Sequence, residues 1–237
     1  NLSGSSPGTE KTYQATNSAT VTVELTTSEK SIVSTTFAHT SEAGSGTSSS
    51  ERSLSIGEEI KYRLVVTVPE GSAENFIVRD NLPEGLEYVN NTAFVSLVSN
   101  GGLSSSLGAG LCAGGSQAST DPNVTPNCAI TPNLGASGNS VDFDMGDITN
   151  SDADSDLEYI VIEFSALVIN QLSNQQNVTL SNQFEVLLSN IQNSVSNNML
   201  ANILEPQLSL TSTTTPSSVD NRTNETPTFA WSLVLTN

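Results

Sequence analysis

An all-β fold is predicted by this sequence: one complete Greek-key β-sandwich module, with strands of neighbouring modules attached at either end. Three observations predict it. Apolar and polar residues alternate with period two in IGEEIKYRLVVTV, where Ile60, Tyr62, Leu64 and Val66 share one face, the pattern of a strand with one side on a core. The same opening recurs in TPTFAWSLVLTN, where Phe229, Trp231, Leu233 and Leu235 alternate, so a second copy of the module begins there. Between these runs lie many short apolar segments separated by Pro, Gly, Asn and Asp clusters, the spacing of a sandwich.

Taken in order, residues 1–23 start polar and run into the alternating stretch ATVTVEL, expected to be the last strand of a preceding module or a donor strand. The complete module is expected over 24–203. In it, SIGEEIKYRLVVTVPEG reads as a strand closed by a Pro/Gly turn, NFIVRD as the next strand, NLPEG as a turn, and LEYVNNTAFVSLV as a third strand. Residues 99–140 form a Gly/Ser/Asn-rich insertion, long enough to be functional or flexible. Then come VDFDMGDI, the acidic turn NSDADSDLE, the strongly apolar strand YIVIEFSALVIN, and a last strand in NVTLSNQFEVLLSN. The only hint of a helix is Asn190 to Leu200, whose spacing does not decide the matter. A strand ends near Glu205 and Pro206, and Leu208 and Leu210 open a new run. Residues 204–237 are therefore expected to be the first strands of a following module or a donor strand, with a proline at the seam, where the missing N–H does no harm.

Composition narrows the class of function. Charged residues are 14 % and hydrophobic residues 35 % of the 237, and much of the remainder is Ser, Thr, Asn and Gly, as in secreted β-proteins. A net charge of −18 at pH 7 repels phosphate backbones and anionic lipid, so nucleic acid is excluded as a partner. No apolar run is long enough to cross a bilayer and Asn1 does not open a signal peptide, so the chain reads as a mature or trimmed extracellular segment. The two cysteines, Cys112 and Cys128, sit in the insertion without a CxxC motif or nearby histidine. In an exported chain they are expected to bond to each other and close a loop of roughly fifteen residues, stabilising by about 3 kcal/mol.

Few constellations carry chemistry. Asp147, Asn150, Asp152, Asp154, Asp156 and Glu158 pack oxygen ligands closely, with Asp152, Asp154 and Asp156 spaced as in a calcium loop. Leu157 stands where an EF-hand needs glycine, so the expectation is calcium at a non-EF turn, the alternative being a solvated acidic turn. Sequons begin at Asn1, Asn90, Asn123, Asn177, Asn221 and Asn224, a number that an Asn/Ser/Thr-rich chain reaches by chance. His39 is the only histidine, which leaves catalytic triads and zinc sites without support. Nor do the acidic turns carry the aromatic lining of a glycosidase cleft. Tyr62 and Trp231 occupy equivalent strand positions and read as core aromatics.

IGEEIKYRLVVTVPEG, FIVRDNLPEGLEYV and LEPQLSLTSTTTPSS resemble the tandem conserved-repeat domains (domain of unknown function eleven) and the related fimbrial isopeptide-forming domains of very large bacterial and archaeal surface proteins. The most distinctive element is the D-x-LP-x-GL turn at Asp80, Leu82, Pro83, Gly85 and Leu86. The resemblance covers most of Lys30 to Asn237, weakest in 99–140. It implies an immunoglobulin-like sandwich used as a stalk, adhesin or coat module, without enzymatic turnover. It also implies an isopeptide bond between a first-strand lysine and a late-strand asparagine, assisted by a buried acid; the matching positions are Lys30 and Asn182. Glu163, in an apolar strand, and Asp80, at the turn, are the candidate acids. Glu29 and Ser28, beside Lys30, read as surface, and the second copy has Ser212 in its place.

The expectation is thus a non-enzymatic structural repeat of an extracellular filament, sheath, stalk or surface layer. Its partners are copies of itself in a linear polymer or tandem array, joined by strand exchange through Phe229, Trp231, Leu233 and Leu235. The alternative is an adhesin module that binds a glycan or protein through the cysteine-pinned insertion. Calcium is the only cofactor expected.

Overall fold

The computed structural model describes residues 26–37, 51–108, 111, 117–136, 139–205, 209–215 and 230–236. Among them there are nineteen strands and no α-helix. Two antiparallel sheets form the body. The first runs β1 (Thr27–Thr35), β3 (Glu59–Val68), β13 (Glu158–Val168), β7 (Phe94–Val98), β9 (Cys128–Ala129), with β6 (Leu86–Tyr88) also on β13. The second runs β10 (Asn133–Leu134), β11 (Ser140–Asp144), β5 (Phe76–Asn81), β15 (Phe184–Leu188), β16 (Ile191–Val195). In chain order, β1-β3-β13-β7 repeats the A-B-E-D order of an immunoglobulin-like sandwich, and β5-β15-β16 its C-F-G order. From β3 to β15 the long strands alternate between the sheets, the Greek-key consequence of that order.

Three smaller sheets accompany them: β4 (Gly71–Ala73), β12 (Ile148–Asn150) and β8 (Leu103–Ser105); β14 (Thr179–Asn182), β17 (Met199–Leu204) and β2 (Glu51–Ser55); and the pair β18 (Ser209–Thr215) with β19 (Ala230–Thr236). Only the pairing of β17 with β2 is parallel among named strands.

The core follows from the alternation. Ile60, Tyr62, Leu64 and Val66 of β3 and Ile160, Ile162, Phe164 and Ala166 of β13 are buried to within 1 %. They meet Phe76, Val78, Val141, Phe143, Phe184 and Val186 of the second sheet. Phe143 and Phe164 pack across the two layers with ring centroids 5.5 Å apart, tilted as aromatic quadrupoles prefer. Each such side chain contributes roughly 1.5–3 kcal/mol by leaving water.

The structure differs from the sequence reading in four places. LEYVNNTAFVSLV is two strands, β6 and β7, because Asn91 takes a left-handed φ of 61° and both flanking segments pair with β13. NVTLSNQFEVLL is likewise two strands, with Asn182 ending β14 and Phe184 opening β15 in another sheet. The stretch from Asn190 to Leu200 has no helix: Ser189 and Asn190, at φ 49° and 65°, turn the chain from β15 directly into β16. And the insertion is fastened to its own module. There β8 pairs with β12, β9 with β7 and β10 with β11, while the Gln117 backbone N–H donates to Leu97 O at 2.7 Å.

Candidate functional site

A lysine, an acid and an amide converge inside the sandwich. Along β1, Lys30 and Ile32 face inward while Glu29 and Ser34 are exposed, so the lysine occupies a core position despite its polar flanks. Its side chain is fully buried. Asp80 comes from the opposite sheet. It follows Phe76 and Val78 on the inward face of β5, inside the strand and not at the turn where the sequence reading placed it. Lys30 Nζ donates to Asp80 Oδ2. The amine also lies 4.4 Å from the centroid of the Tyr62 ring and 5.8 Å from that of Phe164, enclosed by aromatic faces.

Asn182 ends β14, 1 % exposed, with its side chain near Asp80 and Tyr62. Neither its Oδ1 nor its Nδ2 has a hydrogen-bond partner, and Asp80 Oδ1 has none either. A buried polar atom left unpaired costs about 1–3 kcal/mol, so three in one place mark a site kept for a reason other than stability.

Burial disfavours the charged form of both partners in the Lys30–Asp80 pair. Burial pushes the Lys30 amine down to about 8, against the opposing pull of Asp80. Burial likewise pushes the Asp80 carboxyl up, with Lys30 and Asn182 opposing. Desolvation penalises both charged forms, and transferring the proton from lysine to aspartate removes both charges together. In its uncharged form the pair offers an amine, which is a nucleophile, beside a carboxylic acid, which is a proton donor.

Sequence reasoning missed two neighbours. Asn197 clamps the backbone of Lys30, accepting from Lys30 N at 2.8 Å and donating from Nδ2 to Lys30 O at 3.0 Å. It thereby fixes the free edge of β1 at the lysine. Tyr62, read only as a core aromatic, is the wall of the site, and burial together with Asp80 drives its hydroxyl pKa up. The alternation in IKYRL places Tyr62 inward, but nothing local tells that a lysine two strands away will lie over its ring.

Glu163, the other candidate acid, is engaged elsewhere. It points to the outer face of β13, where Arg63 donates to it from Nε at 2.9 Å and from Nη2 at 2.5 Å, and Lys61 approaches at 3.4 Å. Arg63 Nη1 also reaches Pro122 O at 3.5 Å, so the insertion roofs this pair. In the acidic turn, Asp152 and Asp154 are brought together with Glu158, whereas Asp156 is drawn to Asn100 Nδ2 at 2.7 Å. Cys128 lies in β9 and is not a free thiol; Cys112 is outside the described residues. Phe229 and the side chains of Trp231 and Leu235 are also outside them, as is the ATVTVEL stretch. Leu233 is 63 % exposed on β19, and Leu210 equally so on β18.

The D-x-LP-x-GL turn is explained by the same geometry. Gly85 has φ +110°, and a Cβ there would lie 2.0 Å from Oδ1 of the buried Asn174. Asn174 in turn donates from Nδ2 to Gly85 O and Ile169 O, both at 2.8 Å, tying the turn to the end of β13.

No protein-family model matches the chain, and no curated protein matches it. Solved structures that resemble it include the major pilin subunit BcpA of Bacillus cereus, 10 % identical over 80 % of this chain and 42 % of that one, with a TM-score of 0.42. The pilus backbone RrgB of Streptococcus pneumoniae is 13 % identical over 70 % and 31 %, with a TM-score of 0.42. The C-terminal domain of the Streptococcus pyogenes antigen I/II-family protein AspA is 12 % identical over 74 % and 46 %, with a TM-score of 0.46. The chain spans less than half the length of each. No helix among the described residues is long and apolar enough to cross a membrane.

Proposed function

We propose that this chain is a non-enzymatic structural module of an extracellular filament, stalk, sheath or surface layer, locked internally by an amide bond between Lys30 and Asn182. One observation carries the reading: a fully buried lysine held by a buried acid, beside an asparagine whose amide satisfies nothing. In the reaction, neutral Lys30 Nζ attacks Asn182 Cγ and the Nζ–Cγ bond forms. The Asp80 carboxyl donates a proton to the departing Nδ2 and its carboxylate takes one from Nζ. The Cγ–Nδ2 bond breaks and ammonia leaves, so the acid is regenerated and no oxidant or cofactor is consumed. Because this happens once per molecule, Asp80 promotes folding chemistry and not turnover.

The bond joins the first strand of the module to one near its end, which suits a link that carries tension. The second part of the proposal is assembly. Leu210, Leu233 and Val234 are exposed on the β18–β19 pair. Strand addition to a neighbouring copy covers them and gives head-to-tail growth. The attachment of β8, β9 and β10 to their own module favours this structural reading over an adhesive insertion.

Intact mass tests the central claim. The chain is expected to be lighter than its sequence by one ammonia, with Lys30 and Asn182 recovered in one branched peptide. A mass equal to the sequence with both residues unmodified overturns it.

A further inference from the structure

We propose a calcium site at the junction of the acidic turn and β13, formed by Asp152, Asp154 and Glu158. Carboxylate oxygens of these three residues lie within 4.8 Å of one another. Exposed acidic turns often cluster without binding anything, but here a second observation points inward. Glu158, the first residue of β13, is 3 % exposed, and its Oε1 is buried with no hydrogen-bond partner. Its Oε2 is held by Asn150 Nδ2 at 2.8 Å, and the same nitrogen donates to Val68 O at 3.0 Å, which fixes the carboxylate in one orientation. None of the three acids forms an ion pair among the described residues. A buried carboxylate facing two others, with one oxygen fixed and the other unused, is a set of donors suited to a cation.

The surroundings specify the kind of ion. The donors are all hard oxygens, which excludes soft thiophilic metals. They come from one residue anchored in a strand and two on a turn, a partly flexible set that suits the variable geometry of calcium better than the strict octahedron of magnesium. The turn is also held close to a second loop. Ser151 N donates to Gly102 O at 3.0 Å, and a Cβ on Gly102 would lie 2.4 Å from Asp152 N. Loading the ion therefore tightens the 99–102 loop against the start of β13. Asp156, already engaged by Asn100, stays outside the set. The inference is independent of the Lys30–Asn182 bond.

Titration calorimetry of the intact chain with calcium chloride, after chelation, tests it. One ion is expected per chain, with a Kd of about 10⁻⁴–10⁻³ M, the range of extracellular modules. At a hundredfold excess over Kd, the melting midpoint is expected to rise by roughly 5–10 °C. Glu158→Gln and Asp154→Asn should abolish both effects. Glu158→Gln should also be no less stable than the parent in chelator, since it relieves an uncompensated charge, which separates loss of binding from loss of fold. Absence of binding at 10 mM calcium, on the order of ten times the upper Kd, overturns the site. So does an equal calcium-dependent rise in the parent and Glu158→Gln.

Discussion

Replacing Asn182 with alanine isolates the contribution of the proposed cross-link, because it removes the electrophile and leaves the Lys30–Asp80 pair intact. The bond would close a loop of roughly 150 residues, which in the chain-entropy treatment stabilises by about 5 kcal/mol. Against this, the substitution itself removes a small side chain whose two polar atoms are unpaired, a change of about 1 kcal/mol in packing that relief of the orphan atoms offsets. The difference is thus dominated by the bond. For a domain of this size, 1 kcal/mol moves the midpoint by about 2–4 °C, so Asn182→Ala should melt roughly 10–20 °C below the parent. Scanning calorimetry measures this, and intact mass on the same samples reports the state of the bond. Asp80→Asn, which keeps the shape of the side chain but cannot cycle protons, should also retain its ammonia. A midpoint for Asn182→Ala within about 2 °C of the parent, less than the effect of 1 kcal/mol, would refute the reasoning. So would full ammonia loss in Asp80→Asn.

The pH dependence supplies a separate check. In Asn182→Ala, Lys30 stays a titratable amine whose pKa is about 8 when folded, against 10.5 unfolded. Above pH 8 the unfolded chain binds more protons at this residue than the folded one, so stability should rise with pH between about 8 and 10.5. In the cross-linked parent Lys30 is an amide nitrogen, and urea titrations across that window should show no such rise from this residue. Gly85→Ala should cost roughly 2–4 kcal/mol, since it strains a positive φ and displaces the hydrogen-bonded Asn174; urea midpoints measure it, and a change under about 0.5 kcal/mol, an ordinary surface effect, would contradict the turn geometry. For assembly, Leu233→Asp should reduce concentration-dependent self-association in sedimentation velocity. A parent chain that stays monomeric at millimolar concentration would remove the strand-addition reading.

Much of the fold was legible because a strand with one buried face must alternate. IKYRLVV is β3, with Ile60, Tyr62, Leu64 and Val66 inward as expected, FIVRD is β5, and the strongly apolar YIVIEFSALV is most of β13, buried along nearly its whole length. The same rule places Asp80 on the core face, in register with Phe76 and Val78, although the following NLPEG assigned it to the turn in a local reading. Turn chemistry was legible at Gly85, where a positive φ suits glycine, but the reason for it, the amide of Asn174, comes from a segment far along the chain.

What sequence alone could not decide was which groups meet. Alternation states that Lys30 and Glu163 each sit on some face of a strand; it does not state whether that face is the shared core or the outer side of a sheet. Packing across the sandwich gave Asp80 to Lys30, and the register of β13 on β3 within one sheet set Glu163 opposite Arg63. Likewise the spacing of Asp152, Asp154 and Asp156 is a local regularity, while the convergence of Glu158 depends on where β13 begins relative to the turn. Continuous apolar patterns also concealed the breaks at Asn91 and Gln183, since a strand and its successor in another sheet carry the same periodicity. Local sequence determined the strands and their faces, because those follow from steric period and solvation along one segment. The assignment of acid, amine and amide to one another required the tertiary fold, because it rests on contacts between segments as far apart as β1 and β14, which no local pattern encodes.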